Sequence, residues 1–310
     1  MPGPILIIKF GALGDFIQAL GPMAAIRAHH QGRIVLLTTR PFIEFAEKSG
    51  YINDVWLDTR PQFWEWNAWS ALRRALRKTH FERIYDLQTS YRSSFYHRLF
   101  FPDKPPQWSG IAKGCSNPHN NPNRDFMHTI ERQAEQLRAA GVPIEPFNAT
   151  HKLNLDWANV DVSHYGLTSP FVIIVPGGAP HRPEKRWPVD RYITVAKELI
   201  ARGKTPVIIG KDSEKQFAEK ITEQAKDSLN LTGQTSLLEI AGLARKATGA
   251  VGNDTGPMHL ISAVGCRSVV LFSQGSNPEL CAQRGEDVTI LYRASLTAIS
   301  PAHVIDALRI

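Results

Sequence analysis

Gly252-Asn253-Asp254-Thr255-Gly256-Pro257-Met258-His259-Leu260 joins a short apolar run ending at Val251 to a helical pattern that opens near Pro257. Proline suits a first helical turn, where its missing N–H would have no partner anyway, and Thr255 or Gly256 can cap the amides in front of it. The stretch therefore reads as strand, glycine-bearing turn and helix N-terminus. Free amides and the positive end of the helix dipole meet there, and the glycines let a ligand approach the backbone closely, so a diphosphate fits. Gly, Asp, Thr and Pro also gather in such turns for purely local reasons, so the turn alone leaves both readings open.

The same strand-then-helix unit recurs in both directions from this point. Apolar runs at about 5–10, 33–38, 53–57, 83–87 and 107–111 alternate with helical patterns near 15–29, 41–49, 64–79, 91–100 and 125–140. A second series has strands at 171–175, 205–209, 229–232, 248–252, 268–272 and 288–292, with helices near 189–202, 213–226, 236–246, 257–264 and 301–309. Alternation of this kind predicts parallel sheets covered by helices. Residues 143–169, with Pro143, Pro146 and Pro170 around mixed polar sequence, show no helical period and read as a linker. The expected fold class is α/β: two Rossmann-like domains, residues 1–150 and 151–310, facing each other across a cleft. Ligands in such sheets bind beyond the carboxyl ends of the strands, which singles out loops 10–15, 38–41, 87–92, 175–187, 210–214 and 252–257.

A chain of 310 residues with 43% hydrophobic content is long enough for two cores and too polar for a membrane-spanning protein. No apolar run approaches membrane-spanning length and the N-terminus lacks a signal-peptide pattern, so a cytoplasmic location is expected. Cys115, Cys266 and Cys281 lie far apart with no C-x-x-C pair, which points away from a disulfide framework or a zinc site. The net charge of +7 is local: residues 60–104 hold nine basic and four acidic residues. Such a patch attracts an anion, be it nucleic acid, membrane surface or phosphorylated glycan; no recognised nucleic-acid-binding motif accompanies it.

The nine-residue block resembles the signature of glycosyltransferase family 9, the heptosyltransferases of lipopolysaccharide core assembly, where Gly-Asn-Asp-(Ser/Thr)-Gly-Pro-x-His-Leu precedes a helix of the donor domain. Ile5-Leu6-Ile7-Ile8-Lys9-Phe10-Gly11-Ala12-Leu13-Gly14-Asp15 at the other end resembles that family too. The resemblance implies a GT-B fold with an acceptor-binding first domain and a donor-binding second domain. It also implies direct, inverting transfer from ADP-heptose to an anionic glycolipid, without a metal ion. After Leu271-Phe272 the family continues with Gly-Pro, whereas this chain has Ser273-Gln274-Gly275-Ser276.

The glycines of Phe10-Gly11-Ala12-Leu13-Gly14-Asp15 are spaced G-x-x-G, unlike a dinucleotide loop, and Asp15 would repel a pyrophosphate. As physics alone reads it, Asp15 is either a favourable charge in a first helical turn or a general base; the family resemblance makes it the catalytic base. In Pro176-Gly177-Gly178-Ala179-Pro180-His181-Arg182-Pro183-Glu184-Lys185-Arg186-Trp187-Pro188, the amides of Gly177 and Gly178 and the basic side chains can surround a diphosphate, or the basic residues are simply solvated. Lys185 matches the family lysine that neutralises the departing nucleotide. Glu214 is a helix-start charge or, by resemblance, a ribose ligand. Asp254, Thr255 and Gly256 complete the donor set, and His259 either packs in its helix or points at the phosphates. No D-x-D pair and no cluster at metal-ligand spacing is present in the sequence, so neither metal nor cofactor is expected.

In Phe63-Trp64-Glu65-Trp66-Asn67-Ala68-Trp69, followed by Arg73, Arg74, Arg77 and Lys78, the rings either pack a helix onto its sheet through Trp66, Trp69, Leu72 and Leu76 or rest at a membrane interface above an anionic lipid. Arg92, in a loop resembling the family's acceptor side, and Arg60 are the acceptor-binding candidates. The expected partners are a nucleotide-diphosphate sugar, a glycolipid and the inner face of the cytoplasmic membrane. The alternatives are a family member using another sugar or acceptor, a nucleotide-sugar hydrolase or epimerase, and a non-catalytic binding protein.

Overall fold

The computed structural model describes residues 3–145, 153–178 and 181–310. The chain divides into two units, residues 1–147 and 148–310; the boundary expected at 150/151 lies outside the described residues.

The first unit runs β1 (Ile5–Ile8), α1 (Leu13–Gln18), α2 (Leu20–His29), β2 (Ile34–Thr38), α3 (Ile43–Lys48), β3 (Asp54–Leu57), α4 (Trp66–Lys78), β4 (Arg83–Asp86), α5 (Tyr91–Tyr96), β5 (Gln107–Gly110), β6 (Asn117–Pro118) and α6 (Thr129–Ala139). Its strands pair in parallel in the order β3-β2-β1-β4-β5-β6. β1 is apolar at every position because helices cover both faces of the sheet; Ile5, Leu6, Ile7 and Ile8 are all buried. Leu6, Ile8, Val35, Leu37, Ile84 and Trp108 form the core with Leu76 of α4 and Tyr96 of α5.

The second unit repeats the plan with β7 (Phe171–Val175), α7 (Val189–Ala201), β8 (Thr205–Ile208), α8 (Lys215–Gln224), β9 (Leu229–Asn230), α9 (Leu237–Lys246), β10 (Gly249–Asn253), α10 (Gly256–Ala263), β11 (Ser268–Phe272), α11 (Pro278–Cys281), β12 (Val288–Tyr292) and α12 (Pro301–Leu308). The parallel order is β12-β11-β10-β7-β8-β9. In each sheet the direction of winding reverses once, at β1/β4 and at β7/β10. Loops leaving those strand pairs splay apart and open a crevice, so the functional loops of each unit are the ones after β1 and β4 and after β7 and β10.

Several features depart from the sequence reading; β6 and α11, only two and four residues long, have no counterpart among the expected elements. The helix expected over 15–29 is two helices broken at Ala19; Pro22 has no N–H to give the Gln18 carbonyl and its ring would clash with it. Part of the expected linker belongs to the second unit. Leu155, Ala158 and Val162 are buried, Arg245 donates to the Leu155 carbonyl at 2.6 Å, and the missing Cβ of Gly242 makes room for the Val160 carbonyl. This segment folds as two single 3-10 turns, too short to impose a period on the sequence. The aromatic segment also splits: Trp69, Leu72 and Leu76 pack inward, while Trp66 is 77% exposed. All three cysteines are free, and among the described residues no helix is long and apolar enough to cross a membrane.

Candidate active site

In the second unit the switch-point loops are joined by Asn253, the last residue of β10. Its side-chain amide donates to the Pro176 and Gly177 carbonyls, both at 2.9 Å. Its oxygen accepts from the Trp187 amide and the Tyr192 hydroxyl, both at 3.0 Å. One buried side chain thus uses its donors and acceptor fully to lock the loop after β7 against β10. Asn253→Leu, of similar size, removes all four bonds, leaving the Tyr192 hydroxyl only its 3.5 Å bond to the Val175 carbonyl, and is expected to cost about 3 kcal/mol of unfolding free energy; urea denaturation of the two proteins measures the difference.

Beyond Asn253, Asp254 accepts hydrogen bonds from Lys185 Nζ at 2.8 Å, Ser276 Oγ at 2.7 Å and Gln283 Nε2 at 3.1 Å. Burial works to raise the Asp254 carboxyl, but the Lys185 hydrogen bond, the charge of His259 and the Ser276 hydrogen bond outweigh it and hold the group below its ordinary range. Lys185 belongs to a 3-10 turn, Pro183–Lys185, pressed against the loop after β11: Ser273 Oγ donates to the Glu184 carbonyl, and a Cβ on Gly275 would crowd Glu184 and Lys185. The departure from the family pattern at 273–276 is therefore the wall that seats Lys185 and supplies Ser276. The basic loop does not converge as a whole. Arg182 donates to the Gly275 carbonyl at 2.8 Å, Arg186 donates to the Gly178 carbonyl at 2.7 Å and stacks over Phe217, and His181 is exposed. Ala179 and Pro180 lie outside the described residues.

Thr255 is the N-cap of α10 in extended conformation, yet its hydroxyl makes no capping bond and its Oγ1 is buried without a partner. Gly256 is the first helical residue, so the unpaired amides of α10 begin two residues after Asp254. His259, one turn inside, is buried within electrostatic reach of Asp254. Glu214 completes the group from the loop after β8: Oε1 accepts the Gly178 amide at 2.9 Å and Oε2 the Lys211 amide at 2.8 Å. A Cβ on Gly177 or Gly210 would collide with that carboxylate where it now lies, so glycine at both positions leaves it room. Gly177, Gly178 and Glu214 thus form one cluster, and Lys185, Asp254, Thr255, Gly256 and His259 another. A cavity of about 550 Å³ lined by Gln274, Ser276, Asn277, Pro278, Glu279 and Tyr292 adjoins Ser276. Among the described residues no group of three or more His, Cys, Asp or Glu side chains could hold a metal ion.

In the first unit, Asp15 sits in the first turn of α1, half-buried. The loop leading to it is held from several sides. The Phe10 amide donates to Gln88 Oε1 at 2.9 Å, and the Phe10 carbonyl accepts from Thr39 Oγ1 at 2.9 Å and from the Arg60 guanidinium at 3.3 Å. Gly11 has φ +111°, and a Cβ there would lie 2.7 Å from the Phe42 ring. Arg60 therefore borders the Asp15 loop. Arg92 lies farther along the same edge, donating to the Pro61 carbonyl at 3.2 Å and stacking over Trp69.

Four charged residues here had no role assigned from sequence. Lys9 and Asp86 are buried at the ends of β1 and β4. Arg132 of α6 is near enough to Asp15 to be influenced by its charge. Arg124 bonds Asp125 through one nitrogen, at 3.0 Å, while its Nε and other terminal nitrogen are buried without partners. Composition placed the basic excess at 60–104; only tertiary structure brings Arg124 and Arg132 to the same edge.

Residues 69–297 match the family model described as glycosyltransferase family 9 (heptosyltransferase). The chain is similar to lipopolysaccharide heptosyltransferase 2 of Escherichia coli K12, 30% identical over 273 residues that cover 76% of this chain and 77% of that protein. Against lipooligosaccharide heptosyltransferase 2 of Haemophilus influenzae the match is 31% over 119 residues; the chain there spans about a third of its relative's length, 34%. Among solved structures, the E. coli ADP-heptose lipopolysaccharide heptosyltransferase II superposes with a TM-score of 0.80 at 22% identity, covering 100% of this chain and 98% of that one. The fold is accordingly GT-B.

Proposed function

This chain belongs to glycosyltransferase family 9 and is a glycosyltransferase, and from that premise we propose that it transfers heptose from ADP-heptose to the inner core of lipopolysaccharide, inverting the anomeric carbon in one displacement that needs no metal ion. The observation that carries this reading is the Lys185–Asp254 pair set directly before the free amides of α10. A cation held by a buried carboxylate at a helix N-terminus suits the diphosphate of a nucleotide sugar. The choice of ADP-heptose draws on the named activities of the relatives.

In this mechanism the acceptor hydroxyl oxygen attacks the anomeric carbon while the bond from that carbon to the β-phosphate oxygen breaks. The hydroxyl proton passes to the Asp15 carboxylate, and the charge developing on ADP is met by Lys185 and the amides beginning at Gly256. Asp254 fixes Lys185, His259 lies within electrostatic reach of that carboxylate, and Thr255 Oγ1, lacking a partner, is available to a phosphate oxygen. Glu214 spends one acceptor site of each oxygen on Gly178 and Lys211 and keeps others for ribose hydroxyls. Residues 151–310 thus serve as the donor domain and residues 1–150 as the acceptor domain.

Arg60 and Arg92, joined by Arg124 and Arg132, receive the anionic groups of the acceptor. Phe63, Trp64 and Trp66 are all exposed close to the basic helix α4, a composition suited to peripheral contact with the inner face of the cytoplasmic membrane. The test is transfer from ADP-heptose to a deep-truncated core lipopolysaccharide lacking heptose, with and without EDTA. Equal transfer under both conditions, yielding the inverted linkage, is the expected result. ADP binding with no transfer to heptose-free or heptose-bearing cores would overturn the donor or acceptor assignment, and loss of transfer in EDTA would overturn metal independence.

A further inference from the structure

Lys9 is the residue after β1, 3% exposed, in a strand whose partner register sets Ile8 opposite Asp86. Its ammonium donates to the Leu87 carbonyl at 3.1 Å, and the neighbouring Phe10 amide donates to Gln88. These bonds fasten the loop ending at Asp15 to the loop after β4. A buried ammonium costs several kcal/mol of desolvation unless opposite charge surrounds it, so its neighbours explain its presence. The charged groups facing it are Asp15 on α1, Asp86 at the end of β4 and Arg132 on α6.

Asp86 is fully buried and partly committed elsewhere. One oxygen accepts the amides of Gln88 at 3.1 Å and Thr89 at 2.9 Å, shaping a turn in which Thr89 has φ +43°. Burial pushes its carboxyl up to about 6, so it is an internal countercharge to Lys9 above that pH, whereas Asp15 is half-exposed and able to meet a substrate. Lys9 therefore lies behind one reactive carboxylate and beside one structural carboxylate.

We propose that Lys9 is a positioning residue for Asp15: its ammonium, sealed behind the Phe10–Asp15 loop, ties that loop to the loop after β4 and supplies the buried positive charge against which the Asp15 carboxylate is held. The inference rests on the reading of Asp15 as general base. Burial pushes the Lys9 ammonium down to about 8, against the opposing charges of Asp15 and Asp86. Lys9 consequently loses its charge as pH rises through that value, and turnover falls with it.

The experiment compares kcat and donor KM across pH for wild type, Lys9→Arg, Lys9→Met and Asp15→Asn, with thermal melts to establish folding and hydrogen exchange of the 10–15 amides. Lys9→Met is expected to lower kcat about 30-fold with donor KM within about twofold, and to speed exchange of the 10–15 amides even where no turnover can be measured. Lys9→Arg, whose charge does not titrate, is expected to recover most of kcat and to lose the alkaline limb near pH 8 seen in wild type. A folded Lys9→Met protein with wild-type kcat and exchange, or the same alkaline limb in Lys9→Arg, overturns the proposal while leaving Asp15 as base. Wild-type kcat in Asp15→Asn overturns both.

Discussion

Asp15→Asn is expected to lower kcat about 10³-fold while leaving the Kd for ADP within about twofold, because the amide keeps the shape of the carboxylate and cannot accept a proton. The substitution is gentle to the fold. Asp15 lies in the first turn of α1 and receives no capping bond there; the helix-dipole interaction it gives up is worth at most about 1 kcal/mol. The loop that presents it is held by Thr39, Arg60, Gln88 and Lys9, none of which bonds the Asp15 side chain. A thermal melt close to wild type with a large loss of turnover therefore isolates the chemical step. Should kcat fall less than about tenfold, the proton has another acceptor and the base assignment is wrong.

Both sheets were legible because buried parallel strands are written as uninterrupted apolar runs: Ile5–Ile8, Phe171–Val175 and Ser268–Phe272 lie where apolarity alone places them. The break at Ala19 was not, since Pro22 acts through the carbonyl four residues earlier and leaves the apolar pattern intact. Trp66 and Trp69 show the same limit. Both fit a helical stripe, and only the position of α5 makes Trp69 a partner of Phe95 and Tyr96 while Trp66 stays in solvent.

At the site, the glycine-rich turns and Lys185 were visible as local sequence. The partners that give those residues their electrostatics were not: Ser276 and Gln283 reach Asp254 from more than 20 positions away, and nothing in residues 273–283 marks them as ligands of a carboxylate. The roles of Lys9 and Asp86 were hidden for a related reason. A lysine at a strand end reads as solvated until its own loop and the loop after β4 are seen to close over it.

Lys185→Met separates what this lysine does for the fold from what it does for the reaction. Its side chain is 14% exposed and that of its partner Asp254 10%, so removing the ammonium leaves Asp254 with two neutral donors, Ser276 and Gln283, in a desolvated setting. Breaking such a pair from one side is expected to cost about 3 kcal/mol of stability. Neutralising the stranded carboxylate as well, in Lys185→Met with Asp254→Asn, should restore much of that loss, because the amide needs no cation: its oxygen can keep the bond from Gln283 while its NH2 donates to the Ser276 hydroxyl. Turnover should not follow. If Lys185 meets charge that develops as the diphosphate departs, both the single and the double variant lose about 10²- to 10³-fold in kcat, whatever their melting temperatures. Stability that recovers with kcat still low assigns the lysine to the reaction. A rise in donor KM with kcat unchanged would instead mean that Lys185 holds substrate and transition state equally, and the charge on the leaving group would have to be met by the amides of α10 alone.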